Sequence, residues 1–497
     1  MAGSPRPAPA AGRPAGTAAW RNQAMDPLDR LRLESAEMGY GLRLGLGPRG
    51  ESRFAPSENA LLAVGPPRCG KTSAVVVPNL VSACGPAIAT STKRDLLLTT
   101  APARSRVGEV LLFDPSGHTP APAESRLVSW SPIACADTFE RAVLTAEAMV
   151  LAARGGGGSG EGHHWSERAQ ALLAPTFHAA YLEGEPMSKV LSIVDRREGR
   201  QVTAALARHD SELALDTFSG LMATEERELS AIWSTASSVL SAYRSEPALE
   251  AAEAPRLDLD EFVRSGSTLY ICAGADDQRH AAPIVSGLLR EARLAGYRAA
   301  AAGELGAASC HPPLLLCLDE VANIAPLHDL PSLVAEGGSQ GVVTLACLQD
   351  LSQATARWGR LGEGFMTLFN CKVIFPGIGD RRTLEALSLL AGEHEVEAVS
   401  VTEGGRLRGL PGLLGRRGGP QTTYSTRKEP RLPPDAIAAG PAGSAICFEG
   451  ARPYRLRAKP WFEDSRLAGA VLGRQLPERF EATLSARMLR RSRERAI

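Results

Sequence analysis

The sequence lacks several features that would assign a function class at once. It has no excess of charge of either sign, because 55 basic and 55 acidic residues give a formal net charge of zero. A strongly basic balance, which alone would point to a nucleic-acid partner, is therefore missing, and any DNA contact must come from a local basic surface or a pore. No CxxC pair occurs among the nine cysteines. The odd count and the apolar surroundings of these cysteines favour reduced thiols over a disulfide framework.

Long apolar runs and targeting signals are also missing. No stretch of about 18 uninterrupted apolar residues occurs, and the nearest candidate, residues 281–302, is interrupted by charged side chains. No signal peptide is visible. We therefore expect no membrane span and a cytoplasmic location, and peripheral association with the inner face of the cell membrane stays open.

Short apolar runs typical of buried strands recur along the chain, and helical stretches separate them. Such strands are predicted at residues 41–46, 60–64, 86–90, 109–113, 268–273, 313–318, 342–346 and 371–375. Alternating strands and helices are typical of an α/β fold whose mainly parallel sheet is covered by helices on both faces.

The order of these patterns predicts five segments. An α/β domain comes in two parts, 39–136 and 255–465, and an all-α domain at 137–254 is inserted between them. The segment 1–38, whose first 20 residues are rich in Ala, Pro and Gly, is predicted to be disordered. The Arg-rich segment 466–497 is predicted to be an exposed helix or tail. Within these segments we expect a flexible glycine loop at 154–160 and a long loop or hairpin at 402–431.

A phosphate-binding loop is the clearest motif. The segment from Gly65 to Thr72 fits G-x-x-x-x-G-K-[ST], with a predicted strand before it and a helix after it. Backbone N–H groups of such a loop point at phosphate oxygens, Lys71 reaches the β- and γ-phosphates, and the Thr72 hydroxyl is a magnesium ligand. The predicted nucleotide-binding residues are Gly65, Pro66, Pro67, Arg68, Cys69, Gly70, Lys71, Thr72 and Ser73.

Two further strands end in polar residues suited to the same chemistry. The apolar run 314–318 is followed by Asp319 and Glu320. Since parallel strands deliver their carboxyl ends to one crevice, Asp319 is predicted to hold magnesium through water and Glu320 to polarise the attacking water. Gln349, just after the strand at 342–346, is predicted to sense the γ-phosphate or to position the attacking water.

A weaker group follows two other predicted strands. Thr92, Lys93, Asp95 and Asp114 are expected at the same sheet edge. Helix capping and turn formation explain Thr92 and Asp114 equally well, so nucleotide or DNA contact stays open for this group.

The motifs together resemble the type IV secretion coupling-protein family, the hexameric ATPases that pump DNA during bacterial conjugation. The resemblance covers about residues 59–461. Beyond the generic ATPase motifs, it rests on Val77-Pro78-Asn79-Leu80, Phe113-Asp114-Pro115, Trp130-Ser131-Pro132, Leu330-Pro331-Ser332-Leu333, Gly341, Gln349-Asp350-Leu351-Ser352-Gln353, Asn370, Asp380 and Leu389-Leu390-Ala391-Gly392.

This resemblance implies a RecA-like P-loop NTPase fold with an inserted all-α domain. It also implies ATP and Mg²⁺ as cofactors, a homo-hexameric ring around DNA, and a relaxase–DNA complex and secretion-channel proteins as partners. The sequence departs from the family in two respects. The family usually has an N-terminal membrane anchor, and it often has a basic residue just before the turn at Gly341, where this chain has Gln340. Arg357, Arg381 and Arg382 are then the candidates for an arginine finger.

Three functions remain open on the sequence alone. The first is a DNA-transfer coupling ATPase. The second is a related DNA or protein pump outside conjugation. The third is a nucleotide-gated scaffold with little hydrolysis, which the missing finger makes plausible.

Overall fold

The computed structural model describes residues 25–473 apart from 154–159, 254–255, 275–276, 310 and 403–420. The strands are β1 (Arg43–Leu46), β2 (Ser52–Phe54), β3 (Leu61–Val64), β4 (Ala87–Ser91), β5 (Val110–Phe113), β6 (Ser125–Leu127), β7 (Thr268–Cys272), β8 (Leu314–Leu318), β9 (Val342–Leu348), β10 (Cys371–Ile374), β11 (Glu393–Thr402), β12 (Gln421–Pro430), β13 (Ser444–Glu449) and β14 (Arg452–Arg457).

The first ten α-helices are α1 (Pro27–Glu37), α2 (Val77–Ser82), α3 (Asp95–Arg104), α4 (Phe139–Ala153), α5 (Gly160–Glu183), α6 (Met187–Arg196), α7 (Gly199–Arg208), α8 (Glu212–Met222), α9 (Glu226–Val239) and α10 (Glu246–Glu250). They are followed by α11 (Leu259–Phe262), α12 (Gln278–Ala301), α13 (Leu330–Glu336), α14 (Leu351–Trp358), α15 (Arg360–Glu363), α16 (Phe365–Leu368), α17 (Arg381–Ala391), α18 (Pro434–Ala438) and α19 (Ser465–Leu472).

A twelve-stranded sheet forms the centre of the described chain, in the order β2-β1-β14-β13-β10-β3-β9-β8-β4-β7-β5-β6. The eight strands from β10 to β6 run parallel, and the four at the other end pair antiparallel. The prediction of a mainly parallel sheet is confirmed. Strands β3, β4, β5 and β8 are buried at every position because helices cover both faces, so both faces are apolar.

Each face of the sheet has its own hydrophobic core. One core includes Leu62, Leu316 and residues of the helical segment such as Phe177. The other core includes Leu61 and Leu345 and is covered by α1, α2, α3 and α19. Alternate residues of a strand thus enter different cores, as the two-residue period of a strand requires.

Between Ser129 and Arg256 every regular element that the structure describes is helical, from α4 to α10 and two short 3₁₀ turns. Helix α4 packs on α12 of the α/β part and on α5 of the helical part. An all-α insertion in an α/β fold is therefore confirmed, while its boundaries at 137 and 254 stay a prediction.

The predicted disorder of 1–38 is wrong for its described end. Asp26 caps helix α1 by accepting a hydrogen bond from the Leu28 N–H at 2.9 Å, and Pro27 takes the first helical position. Leu28 and Leu31 are buried against the core, which the local composition does not reveal. Residues 1–24 lie outside the described part.

The predicted exposed tail also begins too early. Helix α19 is buried through Leu467, Ala468 and Ala470. Asp464 caps it and forms an ion pair with Arg43 at 3.0 Å, so the start of α19 is fixed to β1. The predicted tail beyond residue 473 and the glycine loop at 154–159 lie outside the described residues.

Of the two alternatives for residues 402–431, a hairpin is the one observed. Strands β11 and β12 pair in a continuous register from Glu393–Pro430 to Thr402–Gln421. They form a separate two-stranded sheet, here called the ribbon. It begins earlier than predicted, and its connection at 403–420 lies outside the described part.

None of the described helices combines the length and the apolar character needed to cross a bilayer.

Candidate nucleotide site

The predicted site residues follow neighbouring strands of the parallel sheet. Strand β9 lies between β3 and β8, and β4 lies on the far side of β8. Their carboxyl ends share one edge, which is where open α/β sheets bind ligands. The loop from Gly65 follows β3, Asp319 and Glu320 follow β8, and Gln349 follows β9.

The backbone of the glycine loop has the special conformations that this motif requires. A Cβ atom at Gly65 would lie 2.7 Å from both Cys69 Sγ and Phe375 Cβ, so no larger residue fits there. Gly70 has φ +105°, and Arg68 takes the left-handed conformation at φ +64°. A π-helical turn, Thr72–Val76, leads directly into α2.

The Lys71 ammonium lies within this loop. Its Nζ donates to the Pro66 carbonyl at 3.0 Å and to the Gly65 carbonyl, and it lies 3.8 Å from Cys69 Sγ. A cation held at the centre of a loop of backbone N–H groups is suited to a phosphate group.

Thr72 and Asp319 join the two motifs directly. The Thr72 hydroxyl donates to Asp319 Oδ2 at 2.8 Å, across 247 residues of sequence. Burial raises the pKa of Asp319, and the Thr72 hydrogen bond opposes the shift while the charge of Glu320 adds to it. The hydroxyl and the carboxylate thus supply two adjacent oxygen ligands of the kind Mg²⁺ prefers.

Cys347, near the end of β9, is a residue of the site that the sequence analysis did not single out. It is buried and lines the cleft together with Asp319. Burial raises the pKa of its thiol well above the usual range, so it stays protonated. Its position at the carboxyl end of a predicted parallel strand was the signal that could have found it.

Glu320 has a strained backbone. Its φ is +57°, a left-handed conformation that a residue with a Cβ rarely adopts. Such strain concentrates at functional sites, where the surrounding structure fixes it. Here it turns the chain sharply at the end of β8, so that Glu320 and Asp319 both line the cleft.

Gln349 lies between the two motifs at the end of β9. It is half-buried and lines the cleft, and its backbone N–H donates to Gln353 Oε1 at 2.9 Å. Two residues on, the Leu351 N–H donates to Thr383 Oγ1 at 2.9 Å, which connects this loop to α17.

These residues surround a cleft of about 390 Å³, within the range of small-molecule sites. Its lining is Pro67, Arg68, Cys69, Gly70, Lys71, Thr72, Ser73, Ser91, Thr92, Lys93, Asp95, Leu96, Asp319, Glu320, Cys347, Leu348, Gln349 and Gln353. Gly65 and Pro66 are not part of that lining and contribute the carbonyls that hold Lys71.

Of the weaker group, Thr92, Lys93 and Asp95 reach the cleft. Asp114 instead accepts hydrogen bonds from Ser116 and Thr119 within its own turn.

The donor set fits a nucleotide with its magnesium ion. No group of three or more His, Cys, Asp or Glu able to hold a metal occurs in the described residues. Mg²⁺ needs no such group, because it usually keeps several waters and binds one or two carboxylates together with substrate phosphates. Thr72 and Asp319 are enough for that mode.

The three arginine-finger candidates differ in their freedom. Arg357 is largely buried, donates to the Ala152 carbonyl at 3.0 Å, and has a pKa lowered by that burial. Arg381 and Arg382 are exposed at the start of α17, although Arg381 pairs with Glu385 at 2.6 Å. The two α17 arginines are therefore the ones a neighbouring molecule could reach.

Comparison with known proteins gives a consistent result. The sequence pattern of the family described as "Type IV secretory system Conjugative DNA transfer" matches residues 20–491. A curated relative, the conjugal transfer protein TraG of Escherichia coli, is 25% identical over 398 residues, which is 76% of this chain and 60% of TraG. The chain therefore spans less than two thirds of that relative.

Solved structures show the same fold. The bacterial conjugative coupling protein TrwBdeltaN70 in an unbound form aligns with a TM-score of 0.63 at 18% identity, over 90% of this chain and 93% of that one. TrwB in complex with the non-hydrolysable ATP analogue ADPNP aligns with a TM-score of 0.61 at 17% identity, over 90% and 94%. TrwB with ADP and Mg²⁺ aligns equally well, with a TM-score of 0.61 at 17% identity, over 90% and 93%. The RecA-like fold expected from the sequence is confirmed.

Proposed function

This chain belongs to the type IV secretory system conjugative DNA transfer family, and we propose that it is a coupling protein that uses ATP hydrolysis to deliver DNA to a type IV secretion channel. The observation that carries the proposal is the 2.8 Å hydrogen bond between Thr72 and Asp319, which joins the phosphate loop to the acidic pair in one cleft. TrwB, which shares this fold, has been solved with ADPNP and with ADP and Mg²⁺, which supports nucleotide binding by this chain as well.

Nucleotide binding in this proposal uses the loop from Gly65 to Ser73. Its backbone N–H groups and Lys71 hold the β- and γ-phosphates, with the dipole of the following helix adding to the attraction. Thr72 binds Mg²⁺ directly and Asp319 binds it through water. Held by these residues, Mg²⁺ would supply positive charge that offsets the negative charge developing on the phosphates.

Hydrolysis is assigned to Glu320 and Gln349. Glu320 accepts a proton from the attacking water, and a general base of this kind contributes about 10²–10⁴-fold to the rate. Gln349 contacts the γ-phosphate and reports its loss. The Leu351–Thr383 hydrogen bond then passes a shift of the Gln349 loop to α17.

The proposed working form is a homo-hexamer with ATP between neighbouring subunits and DNA in the central channel. Arg381 or Arg382 of a neighbour supplies the arginine finger, since both are exposed at the sheet edge that carries the site. DNA contact is made mainly to phosphates and is salt-sensitive and largely independent of sequence. A relaxase–DNA complex and channel proteins are the partners, met at the cytoplasmic face of the membrane.

The test is DNA-stimulated ATP hydrolysis by the purified protein. Wild type should hydrolyse ATP faster when DNA is present, and Lys71→Ala should not hydrolyse it under either condition. Lys189→Ala is the matched control, because Lys189 lies on α6 of the helical insertion and is not part of the cleft lining. It should keep most of the activity. A Lys71→Ala protein as active as wild type would refute the proposed site.

One specific feature favours a second candidate, a nucleotide-gated scaffold. The position before Gly341 is Gln340, in a short 3₁₀ turn, Gly338–Gln340, that carries no cation. Losing an arginine finger costs about 10³-fold or more in rate. Tight ATP binding without turnover by the assembled, DNA-bound protein would support the scaffold and exclude the motor.

A further inference from the structure

One face of the ribbon carries a row of acidic side chains. The register of β11 and β12 has no irregularity, so alternate residues point to the same face. Glu393, Glu395 and Glu397 therefore share a face, and all three are exposed. None of them forms an ion pair within the described residues. We call these three residues the acidic row.

The other side chains on that face offset little of the negative charge of the acidic row. Lys428, opposite Glu395, is its one basic side chain among the described residues. On the other face the charges balance locally, since Arg427 pairs with Glu429 at 2.8 Å. The ribbon thus has one acidic face and one nearly neutral face. A polyanion such as DNA is repelled by the first.

An apolar pair continues the acidic row. Val399 and Tyr424 lie directly opposite each other on the same face, and their exposed fractions are 55% and 74%. A two-stranded ribbon that stands apart from the main sheet is marginally stable in water unless it packs on something. The exposed apolar pair and the isolated position of the ribbon together indicate a surface that a protein partner covers.

A basic row with the same spacing lies on β14. Arg455 and Arg457 are exposed, as is Lys459 two residues further, whereas Leu456 and Ala458 between them are buried. None of the three basic residues forms an ion pair within the described chain. Strand β14 is already paired with β13 and β1, so a partner contacts this basic row through side chains and not by adding a strand.

The two rows match position by position. Alternate residues in a strand are about 6.7 Å apart, so Glu395 and Glu397 have the same spacing as Arg457 and Arg455. Lys459 follows two residues beyond Arg457, just after the end of β14. In an antiparallel alignment Glu393 faces Lys459, Glu395 faces Arg457 and Glu397 faces Arg455. The apolar Val399 then faces the half-buried Pro453, which precedes the basic row on the same face.

We propose that the acidic row of one copy of this chain docks on the basic row of a second copy. Neither row has an ion-pair partner among the described residues, so each chain has one of each to offer. Two different surfaces make a head-to-tail contact, which closes into a ring when the rotation allows. The contact rests on the ring of the proposed function and assigns residues to its subunit interface.

Charge reversal tests this contact. Glu395→Lys/Glu397→Lys reverses the acidic row, and Arg455→Glu/Arg457→Glu reverses the basic row. Arg200→Glu/Arg227→Glu is the matched control, since both arginines are exposed on the helical insertion and lack ion pairs within the described chain. Sedimentation velocity over a concentration series, at low and high salt with ATP and DNA present, measures self-association.

Each row variant should associate on the order of tenfold or more weakly than wild type, because like charges then meet. The control should associate like wild type. Mixing the two row variants should restore assembly, since each reversed row then meets a matching one. That restoration also shows that both variants are folded.

Three results would overturn the proposed contact. Row variants that assemble like wild type would place the interface elsewhere. A basic-row variant that loses only DNA affinity would make that row a nucleic-acid surface. A wild type that stays monomeric throughout would remove the interface altogether. Binding of a fluorescent ATP analogue, measured on the same samples, separates these failures from failure of the nucleotide site: all the variants should bind it like wild type.

Discussion

The strained backbone at Glu320 gives a prediction that separates stability from catalysis. Its φ of +57° places a residue with a Cβ in the left-handed region. Glu320→Gly removes the Cβ and the carboxylate together, whereas Glu320→Ala removes the carboxylate and keeps the Cβ. Glu320→Gln keeps the shape and loses only the charge and the basicity.

The expected free energies follow from the backbone. A left-handed residue with a Cβ costs about 1–2 kcal/mol, and the extra freedom of glycine in the unfolded chain offsets about 0.5–1 kcal/mol of that. The Gly variant should therefore be more stable than the Ala variant by up to about 1.5 kcal/mol, and by about 0.75 kcal/mol at the midpoints of the two ranges. Hydrolysis should fall about 10²–10⁴-fold in the Gly, Ala and Gln variants.

Two measurements on the same proteins check this. Urea unfolding gives the stability order, with Gly above Ala. Equilibrium binding of ATP should be nearly unchanged in all three variants, because Glu320 is not among the groups that hold the phosphates. A Gly variant no more stable than Ala would refute the strain argument. A Gln variant with normal turnover would refute the assignment of the base.

Three further predictions follow from single contacts. Asp464→Asn should lower the free energy of unfolding by about 3–5 kcal/mol, because it leaves the Arg43 guanidinium buried without its carboxylate. Chemical denaturation measures this loss of stability. A loss below about 1 kcal/mol would contradict a stabilising buried ion pair. Although burial alone would raise the pKa of Asp464, the charges of Arg43 and Arg466 and the hydrogen bonds it accepts lower it. The stability from this carboxylate is thus present above its unfolded pKa of about 3.9 and is lost as the pH falls through its lower folded value. Asp464→Asn should therefore differ most from wild type near neutral pH and converge with it in acid; a constant gap down to acid pH would count against this. Thr72→Val should weaken nucleotide binding in the presence of Mg²⁺ about tenfold or more, which corresponds to the loss of one hydrogen bond to a charged group. Nucleotide binding measured in EDTA should change less. Equal losses of affinity with Mg²⁺ and with EDTA would exclude a metal-ligand role for Thr72.

Much of the site was predictable because each motif combines a special loop with a buried strand. Residues 314–318 are uninterrupted apolar positions ending in two carboxylates, and such a run can be placed in a parallel sheet without knowing its neighbours. The glycine loop is local in the same sense. The grouping of these motifs in one site then follows from sheet geometry, because parallel strands bring their carboxyl ends to the same edge of the sheet.

The parts that sequence reasoning missed depend on distant contacts. Helix α1 lies within the segment that was predicted to be disordered, yet Leu28 and Leu31 pack into a core that residues far along the chain complete. Strand β14 was not predicted, since its alternating Arg455–Leu456–Arg457 pattern is short and strongly charged. Strand β13 was also not predicted, although it contains a short buried apolar run. Cys347 could be recognised as a residue of the site only once the structure placed Asp319, at the end of the neighbouring strand β8, beside it.

Movement of DNA is the central claim, and a streptavidin-displacement assay tests it most directly. End-biotinylated DNA, single- or double-stranded, carries streptavidin that a translocating motor pushes off. The account predicts displacement that requires ATP and Mg²⁺ and is absent with Lys71→Ala and with Glu320→Gln. Vigorous ATP hydrolysis by the DNA-bound wild type with no displacement from either kind of DNA would contradict it.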